Sequence, residues 1–190
     1  MISIEECKRI IKPHLSQQRY YHSKCVSKEA GRLAVLYGAD EEKALVAGML
    51  HDIMKETPDD EQLKIIDRFG IIMSNTERAS RKLYHAISGA VYIQNVLNID
   101  DSEIIDAVRW HTSGRKNMSL LEKVIFIADY ISKDRDYPGV DQMRILADIS
   151  LEKAMIEGIR YTVKELMDKE AFVDENTIMA YNDVISYNNI

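Results

Sequence analysis

Four of the chain's five histidines fall on or beside apolar stripes at helical spacing. His22 precedes Val26, Ala30 and Leu33 at steps of 4, 4 and 3, and His51 completes the series Ala44, Ala47 at steps of 3 and 4. His111 lies seven residues after Ile104, and His85 opens the stripe Ile87, Ala90, Val91. Asp129 behaves the same way, four residues after Ile125 and eight after Leu121. A carboxylate turned inward without a partner loses its water at high cost, and a metal ion compensates that loss well. Asp52 directly follows His51; helix neighbours differ by about 100°, but near a helix end both side chains can lean toward one point. Taken singly, each of these is an ordinary hydrogen-bonded core residue. A His-Asp pair together with three other inward histidines and an inward Asp favours a metal site. Imidazole nitrogen plus carboxylate oxygen suits iron, manganese, zinc, cobalt or nickel; an all-oxygen calcium or magnesium site needs no histidine, and a thiolate site needs spaced cysteines. Cys25, three residues after His22, reads as a small core residue, and His14, just past Pro13 in a turn, carries no role.

Helices must position these groups. Ser3 and Glu6 form a capping box for a first helix, and a long second helix runs from about Gln17 to Tyr37 with Gly38 as its stop. Asp40 caps a third helix that carries His51. Thr57 caps a fourth with Pro58 at its first position, ending at Gly70. A loop is expected from Ser74 to Ser80 before helical spacing resumes at Ile87. Asp100 or Asp101 caps the helix leading to Trp110, Thr112-Ser113-Gly114 breaks it, and Ser119 with Glu122 opens the helix bearing Asp129. Asp136-Tyr137-Pro138-Gly139 is a turn, and a final break falls at Phe172 to Asn176. No alternating strand, repeat or low-complexity tract stands out, so the expected class is all-α, one domain over residues 1–190.

The 190 residues suffice for one buried core. With 25 Lys and Arg against 31 Asp and Glu, the net charge is −6. An acidic whole argues against a nucleic-acid coat or an anionic-membrane binder, though not against a small anion held by local cations. Two cysteines, an acidic start and no long apolar run point to reduced thiols in a cytoplasmic protein, neither secreted nor membrane-inserted.

The order His22, His51-Asp52, His85, His111, Asp129 resembles the HD-domain superfamily of metal-dependent phosphohydrolases. The segments Arg19–Ser23, Ala47–Glu56, His85–Ala90, Trp110–Arg115, Met118–Lys123, Ala128–Ile131 and Arg135–Val140 are similar to one bacterial branch of it, the YqeK-type symmetrical diadenosine tetraphosphate hydrolases. The likeness runs from about Arg19 to Asn176. It implies an HD-type helical bundle with an iron site, manganese, cobalt or zinc as substitutes, and one or two ions. His22, His51, Asp52 and Asp129 match the metal ligands, while His85 and His111 match positions that bind phosphate or a second ion. Lys55 matches the lysine after the His-Asp pair. Thr112 and Arg135 match nucleotide contacts, and Phe172, Val173, Asp174, Glu175, Asn176 and Thr177 match a segment near the nucleoside. Departures are Lys24-Cys25 after the first histidine and Trp110 in place of a tyrosine.

The implied reaction is cleavage of diadenosine tetraphosphate into two ADP by metal-activated water. Asp52, Lys55, His85 and His111 form the catalytic set, and His22, Asp52 and Asp129 also meet the substrate. Lys55 shares a helix face with His51 and Asp52, His85 or His111 can protonate the departing oxygen, and Arg135, with Arg115 or Lys116, supplies further cations. The expected partner is a small nucleotide, with neither nucleic acid nor membrane, and the chain can pair as a homodimer. The alternatives are an HD-domain nucleotidase or deoxynucleoside triphosphate hydrolase, or a nucleotide-sensing module without turnover.

Overall fold

The long second helix sets the frame of the fold. In the computed structural model, which describes residues 2–188, α2 spans Gln17–Tyr37, as the spacing predicts. Gly38 ends it in the left-handed region at φ 77°, its N–H bonding the Ala34 carbonyl. Before it lies α1 (Ile4–Ile11), capped by the Ser3 hydroxyl. After it come α3 (Glu41–Leu50), capped by Asp40, and α4 (Asp59–Arg68). Then follow α5 (Asn75–Ala79), a 3₁₀ turn (Arg81–Leu83), α6 (Tyr84–Asn95) and α7 (Ser102–Trp110), which Asp101 caps. The chain continues through α8 (Leu120–Ile131), α9 (Val140–Ile149), α10 (Leu151–Asp168) and α11 (Glu175–Asn188). The described residues contain no strand.

Three local expectations need correction. Ser74 to Ser80 is not a loop: Ser74 and Glu77 close a full capping box and start α5. Pro58 sits one place earlier than expected, at the cap of α4, where its carbonyl accepts from Glu61 and Gln62 N–H at 3.0 Å each. Residues 51–57 form tight turns rather than extending α3. Ile53 N–H bonds Leu50 O at 3.0 Å, Lys55 N–H bonds Asp52 O at 2.9 Å and Thr57 N–H bonds Met54 O at 3.1 Å. In such turns residues three apart eclipse, which aligns Lys55 over Asp52.

α2, α3 and α8 pack together, with α7 against α3, α6 and α8. Their inner faces supply the fully buried Leu33, Leu50, Ile104, Ile125 and Phe126. α2 and α3 approach closely at Gly48, where a Cβ would meet Ser27 Cα at 2.8 Å. The Ser27 hydroxyl reinforces the contact by donating to Leu45 O at 2.7 Å. This approach brings His22 on α2 to His51 at the end of α3. A second clamp joins α7 to α8: Arg115 donates to Asp106 at 2.8 Å and to the buried Glu122 at 2.6 Å. Trp110 lies under both Arg109 and Arg115, at 4.0 and 5.6 Å. Arg115 is therefore committed to holding two helices and is not a free cation for substrate. Among the described residues, no helix is long and apolar enough to cross a membrane.

Candidate metal centre

Six side chains meet where α2, α6, α7, α8 and the turn after α3 converge. His22 Nε2 lies 2.9 Å from Asp129 Oδ1 and 3.9 Å from Asp52 Oδ2. His51 Nε2 lies 3.6 Å from Asp52 Oδ2 and 3.8 Å from Asp129 Oδ1. On the other side, Asp52 Oδ1 faces His85 Nε2 at 3.2 Å and His111 Nε2 at 3.6 Å. The four imidazoles form a chain of edge-on contacts, with centroids 5.3, 5.0 and 5.1 Å apart.

The backbone fixes the tautomers. His51 Nδ1 lies 2.8 Å from Gly48 O and His111 Nδ1 lies 2.7 Å from Val108 O. A carbonyl only accepts, so each Nδ1 carries the proton and each Nε2 presents a lone pair inward. Both histidines sit one residue past a helix end, three residues after the carbonyl they bond. Helix termination is thus what aims these rings.

Burial and charge set the protonation states. Burial pushes His51 down to about 3 and His85 down to about 4, so both are neutral at pH 7. Burial also acts to raise Asp52, but His51, Lys55 and the adjoining His111 and His85 rings hold its carboxyl well below the usual range. Asp129 is likewise held well below it against burial, by His22, Arg135 and His51. Burial alone would lower His22, yet the hydrogen bond and charge of Asp129 outweigh it and raise this imidazole above its ordinary value.

The residues fit a divalent cation. His51 Nε2 and Asp52 Oδ1 are buried without a hydrogen-bond partner among the described residues. Two triads, His22–His51–Asp129 and His51–Asp52–His111, each bring one ligand atom per residue within 4.8 Å of the others. Mixed imidazole and carboxylate donors suit a transition metal.

Around this centre, Lys55 Nζ lies 2.9 Å from His85 Nε2 and 3.5 Å from Asp52 Oδ1. The Thr112 hydroxyl lies 3.3 Å from His85 Nε2. Arg135 bonds the Asp129 carbonyl at 2.7 Å and pairs with its carboxylate. The segment 172–177 makes its contacts elsewhere: Asp174 caps α11 through Asn176 N–H at 2.9 Å, and Asp174 and Glu175 both accept from Thr76. Asp174 and Thr177 are buried and Phe172 is exposed. Two residues of the centre escaped sequence reasoning. Asp134 accepts from His22 Nδ1 at 2.7 Å and is itself held by the Ser132 hydroxyl at 2.8 Å. Arg19, one turn before His22, lies 3.6 Å from Asp52 Oδ2. A polar-face arginine and an aspartate in the charged run 133–136 gave no periodic signal.

Comparison with known proteins adds an independent line. A model of the HD domain family matches residues 19–134. A protein named "Bis(5'-nucleosyl)-tetraphosphatase, symmetrical" from Bacillus subtilis is 40% identical over 182 residues, covering 96% of this chain and 97% of that one. Its namesake from Staphylococcus aureus is 35% identical over 183 residues, covering 95% and 94%. A solved structure from Clostridium acetobutylicum, described as a "predicted HD superfamily hydrolase involved in NAD metabolism", superposes with a TM-score of 0.94. It is 38% identical and the match covers 98% of this chain and 99% of that one.

Proposed function

The chain belongs to the HD-domain family and, within it, to the symmetrical bis(5'-nucleosyl)-tetraphosphatases, and from this we propose that it hydrolyses diadenosine tetraphosphate to two ADP. The observation that carries the reading is the buried, unpartnered His51 Nε2 facing the same space as Asp52, Asp129 and His22. His22, His51, Asp52 and Asp129 are assigned as ligands of one ion. His51 has a single inward lone pair, because its Nδ1–H is spent on Gly48 O; the two triads that share it therefore describe one cation, and a second would have to draw on His85 and His111. Iron is the assigned metal, with manganese, cobalt or zinc as substitutes. The chain acts as one domain over residues 1–190, in the cytoplasm, and can pair as a homodimer.

A bound divalent ion polarises a phosphoryl oxygen and lowers the pKa of water toward about 7 in favourable cases. The protein supplies the rest. Lys55 and Arg135 neutralise the phosphate chain from opposite sides of the carboxylates. Thr112 and the His85–His111 pair meet the phosphate under attack. The Lys55 ammonium, 2.9 Å from His85 Nε2, stabilises the charge that develops on the departing ADP oxygen. Of the segment 172–177, the exposed Phe172 is assigned to the base, whereas Asp174 caps α11.

Product chromatography tests the reading. Metal-loaded protein should convert diadenosine tetraphosphate to ADP alone, and a chelator should abolish it. AMP with ATP places the cut elsewhere and refutes symmetrical cleavage. No turnover with iron, manganese or cobalt redirects the assignment to another nucleotide or to sensing without turnover.

A further inference from the structure

Two clefts open on the metal centre, and Arg135 and Tyr137 form the wall between them. The first, of about 360 Å³, is reached past His111, Thr112 and Asp129 and runs outward to Lys82 and Tyr161. The second, of about 530 Å³, is reached past His22 and runs along Arg19 and Gln18 to Asp136. Both volumes lie in the range of about 300–1,000 Å³ common to small-molecule sites. A substrate with identical halves on either side of the broken bond must leave the centre in two directions. One cleft can hold only one half.

Resting on the tetraphosphatase reading above, the geometry points to the second cleft as the lobe for the other ADP half, with Arg19 as the cation that holds its phosphates. The Arg19 side chain is 38% exposed, and its one ion pair among the described residues, to Asp52 Oδ2, is long at 3.6 Å. Its donor fork is free for a bidentate phosphate contact, where such geometry is strongest. Charge is ordered along the cleft. The cation sits at the inner end beside the centre, and carboxylates stand outward. Asp134 and Glu56 are committed to His22 and Ser16, whereas Asp136 is exposed and free to accept from ribose hydroxyls. The buried Tyr137 hydroxyl has no partner among the described residues and lies in the wall of both clefts. In the reaction, water oxygen bonds to an inner phosphorus while that phosphorus loses its bridging oxygen. The bridging oxygen leaves with the electron pair on the second ADP and takes up one proton, and Arg19 faces that departing half.

The test uses Arg19→Ala and Gln18→Trp, the latter filling the outer cleft away from the metal ligands. Three quantities are compared with wild type: metal content, kcat/KM for diadenosine tetraphosphate and Kd for ADP, the proposed occupant of the first cleft beside His111 and Thr112. Both variants should keep their metal and bind ADP within about threefold of wild type. Their kcat/KM should fall at least tenfold, with partial recovery in Arg19→Lys. Unchanged kcat/KM in both variants overturns the proposal. So does an equal loss of ADP affinity, which would place Arg19 in the first cleft or in the fold. Wild-type protein that forms no ADP overturns the tetraphosphatase reading instead.

Discussion

Asp134 holds His22 from behind: its Oδ2 lies 2.7 Å from Nδ1, while Nε2 of the same ring lies 2.9 Å from Asp129 Oδ1. The imidazole is gripped by a carboxylate at each nitrogen. One carboxylate takes the Nδ1 proton, so the other nitrogen is turned to the centre. Removing such an outer partner from a ligating histidine typically costs about 10–100-fold in metal affinity. Asp134→Ala should weaken metal binding by that factor. Asp134→Asn, which keeps an acceptor but no charge, should lose less. Titration of metal into stripped protein measures both, and equal affinity in Asp134→Ala and wild type removes Asp134 from the centre.

Lys55 is the cation that the turn geometry aligns over Asp52. Its ammonium serves charge that develops in the reaction, so its loss should register in turnover and leave the ligands in place. Removing one such stabilising donor costs about 10²–10³ in kcat. Lys55→Met should show that loss with metal content unchanged. Loss of the metal itself would instead make Lys55 a structural partner of Asp52.

Most of the centre was legible because the fold buries it. His22, His51, His85, His111 and Asp129 sit where apolar residues recur, so their polarity stood out against the stripe. What was illegible depends on pairs far apart in sequence. Arg115 looked available because neither Asp106 nor the buried Glu122 marks itself as its partner. Asp134 sits in a run of charges that reads as a solvated loop, and only the ring 112 positions earlier in the chain gives it a task. The Ser74–Glu77 box was readable and resembles the Ser119–Glu122 box in every feature but one. It opens a helix of five residues, too short to show a period.

Close approach of α2 and α3 at Gly48 couples the fold to the centre. A methyl there would press on Ser27 Cα at 2.8 Å, on backbone that cannot rotate away. Overpacking of this kind costs about 1–3 kcal/mol. Gly48→Ala should lower the denaturation midpoint and also weaken metal binding, because it moves His22 away from His51. A control is Gly70→Ala, where φ is +70° but nothing lies within 4 Å; it should cost stability without touching the metal. Equal metal affinity in Gly48→Ala and wild type would show that the helices give without moving the ligands.

The protonation states give metal binding a specific pH dependence. Stripped of metal, His22 is raised above its ordinary value by Asp129, whereas His51 and His85 are depressed to about 3 and about 4. Between pH 5 and 7, therefore, His22 is the histidine ligand that must give up a proton to the entering ion. Affinity should rise about tenfold per pH unit through this range and level off above the His22 pKa; a slope of two or three would mean that the other rings are protonated too. The stability of the stripped protein runs on different terms. His22 binds its proton more tightly folded than unfolded, so its contribution is full below about 6.5 and is lost as pH rises through its raised value. His51 and His85 bind theirs less tightly folded, so they lose stability as pH falls below about 6.5 and go on doing so until their folded values are reached. Below about 6.5 the His22 contribution is constant, so the two depressed rings set the sign: the stripped protein should weaken between pH 6.5 and 4, and acid unfolding monitored by circular dichroism checks it.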